Sequence, residues 1–148
     1  MEIKEIELTK DRIEELIKLS IDWENENITS TYMKNEYEDF KDYRVIACLE
    51  DDKIIGYAFI HSLIQDKDVH VMEKNSKYMY VEELYVKREY RSKGLGKLLM
   101  DYVIDLSKNE GLDYVYLVTP TKNYKAILHF YIDEIGMDFY HAALYKKL

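Results

Sequence analysis

A single cysteine, Cys48, rules out a disulfide within this chain. It sits in the apolar run Val45-Ile46-Ala47-Cys48-Leu49, where a thiol packs as a small buried hydrophobe. Proline is equally scarce, with one among 148 residues, which leaves no room for rigid Pro-rich linkers. Nor does any repeat or low-complexity stretch divide the chain, so one domain covering residues 1–148 is expected. Positive charge is short: 21 Lys and Arg stand against 29 Asp and Glu, a net charge of −8. That balance argues against a nucleic-acid binder and leaves cationic small molecules open as partners. No apolar run approaches the roughly 18–20 residues that span a bilayer, so no membrane partner is expected. Met1-Glu2-Ile3-Lys4-Glu5-Ile6 has neither the basic nor the apolar part of an export signal, and the expected location is cytoplasmic. His61, His70, His129 and His141 lack the close spacing of metal ligands, so no metal site is expected.

Tyrosine, by contrast, is abundant: 15 residues, a type suited to half-buried strands and pocket walls. Alternation predicts strands over 3–8, 44–49 and 54–61, the last two joined by the tight polar turn Glu50-Asp51-Asp52-Lys53. Thr9 can cap a helix with Ile13, Leu16, Ile17 and Ile21 on its apolar face. Residues 29–40 accommodate a second short helix, and 62–76 read as a loop. A strand over 77–86 precedes the clearest helix, with Leu95, Leu98, Leu99, Tyr102, Val103 and Leu106 at helical spacing before Gly111. Further on come a strand over 114–118, a helix capped by Thr121 or Asn123 and running through Ile135 to Gly136, and a last strand over 139–145. Strands and helices mix without strict alternation, which favours a mixed α/β sheet flanked by helices.

The stretch Tyr85-Val86-Lys87-Arg88-Glu89-Tyr90-Arg91-Ser92-Lys93-Gly94-Leu95-Gly96-Lys97 runs from a strand through a basic turn into a helix. Glycines at a helix start let the backbone approach a ligand, and the free N–H groups of the first turn bind anions. Lys87, Arg88, Arg91, Lys93 and Lys97 make this window basic within an acidic chain. It is not a P-loop, because Leu98 follows Gly96-Lys97 and the upstream glycine is missing. Nor is it a Rossmann fingerprint, whose third glycine is replaced by Leu99.

Arg91-Ser92-Lys93-Gly94-Leu95-Gly96 does resemble the acetyl-coenzyme A pyrophosphate loop of the GNAT superfamily of N-acetyltransferases. Its approach strand Val81-Glu82-Glu83-Leu84-Tyr85-Val86 and turn Arg88-Glu89-Tyr90 are similar too. A second block, Asn123-Tyr124-Lys125-Ala126 through Phe130-Tyr131 and Gly136-Met137, resembles the family's Asn-x-x-Ala, Phe-Tyr and Gly-Phe segment, with Met137 for Phe. The order of elements fits nearly the whole chain. The resemblance implies a mostly antiparallel sheet splayed between its fourth and fifth strands, flanked by helices, and an acetyl-CoA-dependent transferase acting on a small-molecule amine in a ternary complex. Dimers are common in that family, which leaves a homodimer open. A coenzyme A-binding sensor without turnover and a transferase of longer acyl groups are the alternatives.

The resemblance also implies roles. Backbone N–H groups of Arg91, Ser92, Lys93, Gly94, Leu95, Gly96 and Lys97 bind pyrophosphate. The backbone of Leu84, Tyr85 and Val86 pairs with the pantetheine arm, Asn123 bonds it from the other side, and Tyr131 stands at the position of the general acid. An amine is mostly protonated at neutral pH, so a base must act, through water if necessary. Alternation allows only one of Glu82 and Glu83 to point into the cleft. Glu82, taken to share a face with Leu84 and Val86, is the first choice. Glu83 is the second and a base-free water route the third. Seven carboxylates against two lysines between Asp22 and Asp42 mark an acidic stretch, in which Asp22, Glu24 and Glu26 are the candidates for binding a cationic amine. Ordinary explanations stand beside these roles: Tyr131 as a core residue, Asn123 as a helix cap, the acidic stretch as a solvated face, Trp23 as either pocket wall or helix anchor.

Overall fold

The computed structural model describes residues 1–148. Five strands, β1 (Glu2–Ile6), β2 (Arg44–Glu50), β3 (Lys53–Ile64), β4 (Lys77–Val86) and β5 (Tyr114–Tyr116), hydrogen-bond in chain order into one sheet. The first four are antiparallel, while β5 runs parallel to β4. Helix α1 (Lys10–Glu26) covers one face and α2 (Leu95–Asn109) the other; α3 (Tyr124–Leu128) continues into a π-helical turn, His129–Glu134.

Helices on both faces explain why β2 and β3 are apolar throughout. Val45, Ala47, Leu49, Ile54, Tyr57 and Phe59 pack with Ile13, Leu16 and Leu19 of α1. Ile46, Cys48, Ile55, Ala58 and Ile60 pack with Leu95, Leu99, Met100 and Val103 of α2. The Thr9 hydroxyl accepts the Arg12 N–H at 3.3 Å and starts α1, and Asn27 (φ 52°) ends it. Cys48 is buried as expected.

Two irregularities position the site. Phe59 pairs with Glu83 and Ile60 with Val81, so Glu82 is the extra residue of a β-bulge. Met79 and Val81 face α2, and so does Leu84, whereas Glu83 follows Tyr85 onto the α1 face. The bulge resets the alternation. The second irregularity is a splay: β4 and β5 pair only from Tyr78–Tyr114 to Tyr80–Tyr116, after which β4 continues alone to Val86.

Three expectations are corrected. Between residues 29 and 40 only a 3-10 turn forms, Tyr37–Phe40. The fifth strand stops at Tyr116, where the splay ends its pairing. The last strand does not form. Backbone hydrogen bonds hold the chain to Met137, beyond which Phe139, Leu144 and Tyr145 are exposed and find no partner strand. No helix is long and apolar enough to cross a membrane, and no three His, Cys, Asp or Glu side chains stand close enough to hold a metal ion.

Candidate active site

Where β4 and β5 part, a cleft of about 580 Å³ opens. Glu82 to Val86 form one wall and Leu117 to Thr121 the other. Asn123, Ala126, Ile127 and Tyr131 also line it, as do Trp23 and residues 28–33. The two lips are tied together by a short strap. Ser30 N–H donates to the Pro120 carbonyl (2.9 Å), Lys122 N–H to Ile28 (2.8 Å), and the Lys122 ammonium to the Asn27 side chain (2.7 Å).

Beyond Val86 a 3-10 turn, Arg88–Tyr90, leads into the loop that starts α2. Ser92 (φ 60°) and Gly94 (φ 78°) are left-handed, which coils the chain tightly. The backbone N–H groups from Ser92 to Lys97 have no protein acceptor. A Cβ at Gly94 would meet nothing within 4 Å, whereas one at Gly96 would touch the Phe130 ring at 3.4 Å. The unpaired donors, the helix dipole and the open side of Gly94 suit a phosphate-bearing ligand. The loop's cations are less free than the sequence implied: Lys97 pairs with Asp101 at 2.6 Å.

Arg91 is committed as well. Its Nε donates to the Val86 carbonyl (2.8 Å), and its two Nη groups grip Glu26 at 2.6 and 2.8 Å. Tyr85 adds a hydroxyl bond to the same carboxylate at 2.9 Å. Burial pushes Glu26 up, but these partners more than offset it and hold the carboxyl below its usual range. Glu26 is therefore tied to Arg91, at the start of the loop that leads into α2. Glu24 accepts the Lys34 N–H at 3.3 Å, and Asp22 is exposed on α1. None of the three lines the cleft. The carboxylates of Glu24 and Glu26 face backbone and Arg91, so the three expected to meet the acceptor stand outside the lining of this cleft. Trp23 does line it, stacked on Tyr32 (4.1 Å) and Tyr85 (5.2 Å).

The carboxylates that do line the cleft are Glu82 and Glu83. Glu82 does not share a face with Leu84 and Val86. It lies 4.0 Å from the His61 ring, which packs between Tyr43 and Tyr80 on the α1 side. The assumed alternation fails at the bulge, so both carboxylates reach the same side. Glu83 is the better prepared for proton transfer. It accepts from Asn35 Nδ2 (3.0 and 3.1 Å), the Tyr57 hydroxyl (3.0 Å) and the Tyr32 hydroxyl (3.3 Å). Burial raises it to about 7 against the lowering effect of those donors.

Tyr131 is buried among the α2-face side chains yet also lines the cleft. Burial alone pushes its hydroxyl well up, with no hydrogen-bond partner among the causes. Asn123 precedes α3, but its side chain makes no capping bond, which leaves the amide available to a ligand in the cleft. Leu84, Tyr85 and Val86 form the cleft wall, although the Val86 carbonyl is already taken by Arg91. Sequence reasoning missed Asn35, Tyr57 and Tyr32. They lie 48, 26 and 51 residues from Glu83, and no local spacing connects them.

Comparison with known proteins agrees with this geometry. The model of the acetyltransferase (GNAT) family matches residues 13–137. Tyramine N-feruloyltransferase 4/11 of Nicotiana tabacum is 30% identical over 125 residues, covering 82% of this chain and 50% of that protein. The chain thus spans about half the length of this curated relative. Among solved structures, a tetramutant of the BH1408 protein from Bacillus halodurans superposes with a TM-score of 0.77 at 18% identity, over 100% of both chains. Aminoglycoside N-acetyltransferase AAC(6')-Iy in complex with CoA gives 0.64 at 18% identity, over 99% of each chain. With the family model spanning most of the chain and the splayed sheet shared with these structures, the protein belongs to the GNAT acetyltransferase family.

Proposed function

We propose that this chain moves an acetyl group from acetyl-coenzyme A to a primary amine by direct attack in a ternary complex, with residues 1–148 acting as one catalytic domain. The observation that carries this reading is that Glu83 and Tyr131 line one cleft, together with Arg91, which leads directly into the unpaired N–H groups of residues 92–97. Acyl-coenzyme A, when bound, supplies the activated thioester. The loop from Ser92 to Lys97 would hold its pyrophosphate, and the Asn123 amide with the wall at Leu84 and Tyr85 would hold the arm.

Glu83, rather than Glu82, is the proposed base. A carboxylate near 7 is part ionised at neutral pH and proton-seeking enough to relieve an ammonium, whose ordinary value is about 10.4. Tyr131, pushed upward by burial, stays protonated across the neutral range and so has a proton to give to the departing thiolate. The acceptor ammonium would meet Glu82 and Glu83. A second positive charge on the acceptor adds attraction to this end of the cleft, which salt weakens.

The test is amine-dependent release of free thiol from acetyl-coenzyme A by the purified chain over a panel of mono- and polyamines. Coenzyme A binding without amine-dependent release overturns the enzyme reading in favour of a sensor domain. A second reading, transfer of a longer acyl group, is favoured by the feruloyltransferase relative and by the cleft's volume. It predicts a higher kcat/KM with a hydroxycinnamoyl thioester than with the acetyl one.

A further inference from the structure

The groups around Glu83 are all neutral donors, drawn from separate parts of the chain. Tyr57 comes from β3 and is fully buried. Asn35 and Tyr32 come from the loop between α1 and β2. Asn35 is itself buried, and its side-chain amide meets both carboxylate oxygens, at 3.0 and 3.1 Å. α1 fixes this loop in place: Asn35 N–H donates to the Ser20 hydroxyl (2.9 Å), Lys34 N–H donates to Glu24 (3.3 Å), and Tyr32 stacks on Trp23. Met33 and Tyr32 of the same loop line the cleft.

A carboxylate in such a place is usually steadied by a cation. Here no Lys or Arg donates to Glu83. The titratable and charged groups facing it are Glu82 on β4, Tyr57 on β3 and Tyr32 in the loop, with Tyr43 ahead of β2 and Glu24 at the end of α1 farther out. Neutral donors stabilise the ionised form without adding a positive charge that would repel an incoming ammonium.

We propose that Asn35 and Tyr57 are positioning residues that orient Glu83 and stabilise its ionised form against the burial around it. The proposal rests on the reading of Glu83 as base.

The experiment is the pH profile of kcat/KM on the full chain. Asn35→Ala, which keeps the backbone bond to Ser20, and Tyr57→Phe, which removes one hydroxyl, should each move the rising limb up by about one pH unit. The loss is then about tenfold below the limb and small above it. Should the buried variants fail to fold, Tyr32→Phe carries the same test with a smaller shift. Glu83→Gln separates the two levels. If it abolishes the limb while the other variants leave the limb in place, the positioning role is overturned and the base stands. If the limb survives in Glu83→Gln, the base reading itself has failed.

Discussion

The surroundings of Glu83 and the loop that starts α2 handle their polar groups in opposite ways. Around Glu83 the donors already have an acceptor, a carboxylate bonded to Asn35, Tyr57 and Tyr32. In the loop from Ser92 to Lys97 the backbone donors have none. The first arrangement adjusts the proton affinity of one atom group; the second offers many weak donors to an anion. On the proposed function, proton transfer and ligand capture call for different chemistry, side chains from distant segments in one case and consecutive backbone in the other. Substitutions should accordingly be abrupt in effect at the Glu83 end and graded at the loop.

The sharpest break in this contrast is Glu83→Gln. It should lower kcat by about 10³-fold and remove the rising limb of the pH profile. It has a second signature in stability. The folded carboxyl lies near 7, above its ordinary 4.5. A group raised in the folded state favours folding fully below the lower value, and that benefit is lost as pH rises through the higher one. The melting temperature of Glu83→Gln relative to the parent chain should therefore climb between about pH 4.5 and 7. A flat difference in thermal scans would mean that the carboxyl is not raised. Next, Tyr131→Phe should lower kcat roughly 10²-fold with coenzyme A affinity nearly intact by calorimetry. Full activity would return Tyr131 to a packing role.

At the loop the effects should be smaller. Gly94→Ala forces a side chain into left-handed backbone although space is open, costing about 1 kcal/mol of stability and weakening coenzyme A binding roughly tenfold, read by calorimetry. Lys97→Ala should change affinity by less than about threefold, because the ammonium is paired with Asp101 and the donors are backbone. A larger loss from Lys97→Ala than from Gly94→Ala would turn the contrast around, making side-chain charge the principal holder of the anion.

What the sequence revealed follows the same division. The strand, basic turn and helix from Val81 to Lys97 are contiguous, so their chemistry is legible by eye, and the two-faced core follows from the apolar runs of β2 and β3. The face of Glu82 was not legible, because the bulge is set by pairing with Phe59 and Ile60 of β3 and not by anything local. Composition showed the density of carboxylates around Glu26 but not that one of them meets Arg91 across 65 residues. The alternation over 139–145 is that of a strand, yet a strand is a relation between two segments, and no backbone pairs with this one although Tyr140 stacks on His70.

The bulge at Glu82 has a consequence for charge density. On a regular strand, neighbours on one face are two residues apart, about 7 Å. The inserted residue brings two consecutive carboxylates to one face, and the charge of Glu82 makes ionisation of Glu83 harder. Deleting Glu82 would restore regular pairing and leave every other side chain of β4 on its present face. It is the one residue of the strand that geometry does not require, and its presence concentrates negative potential at the spot where β4 leaves its neighbour.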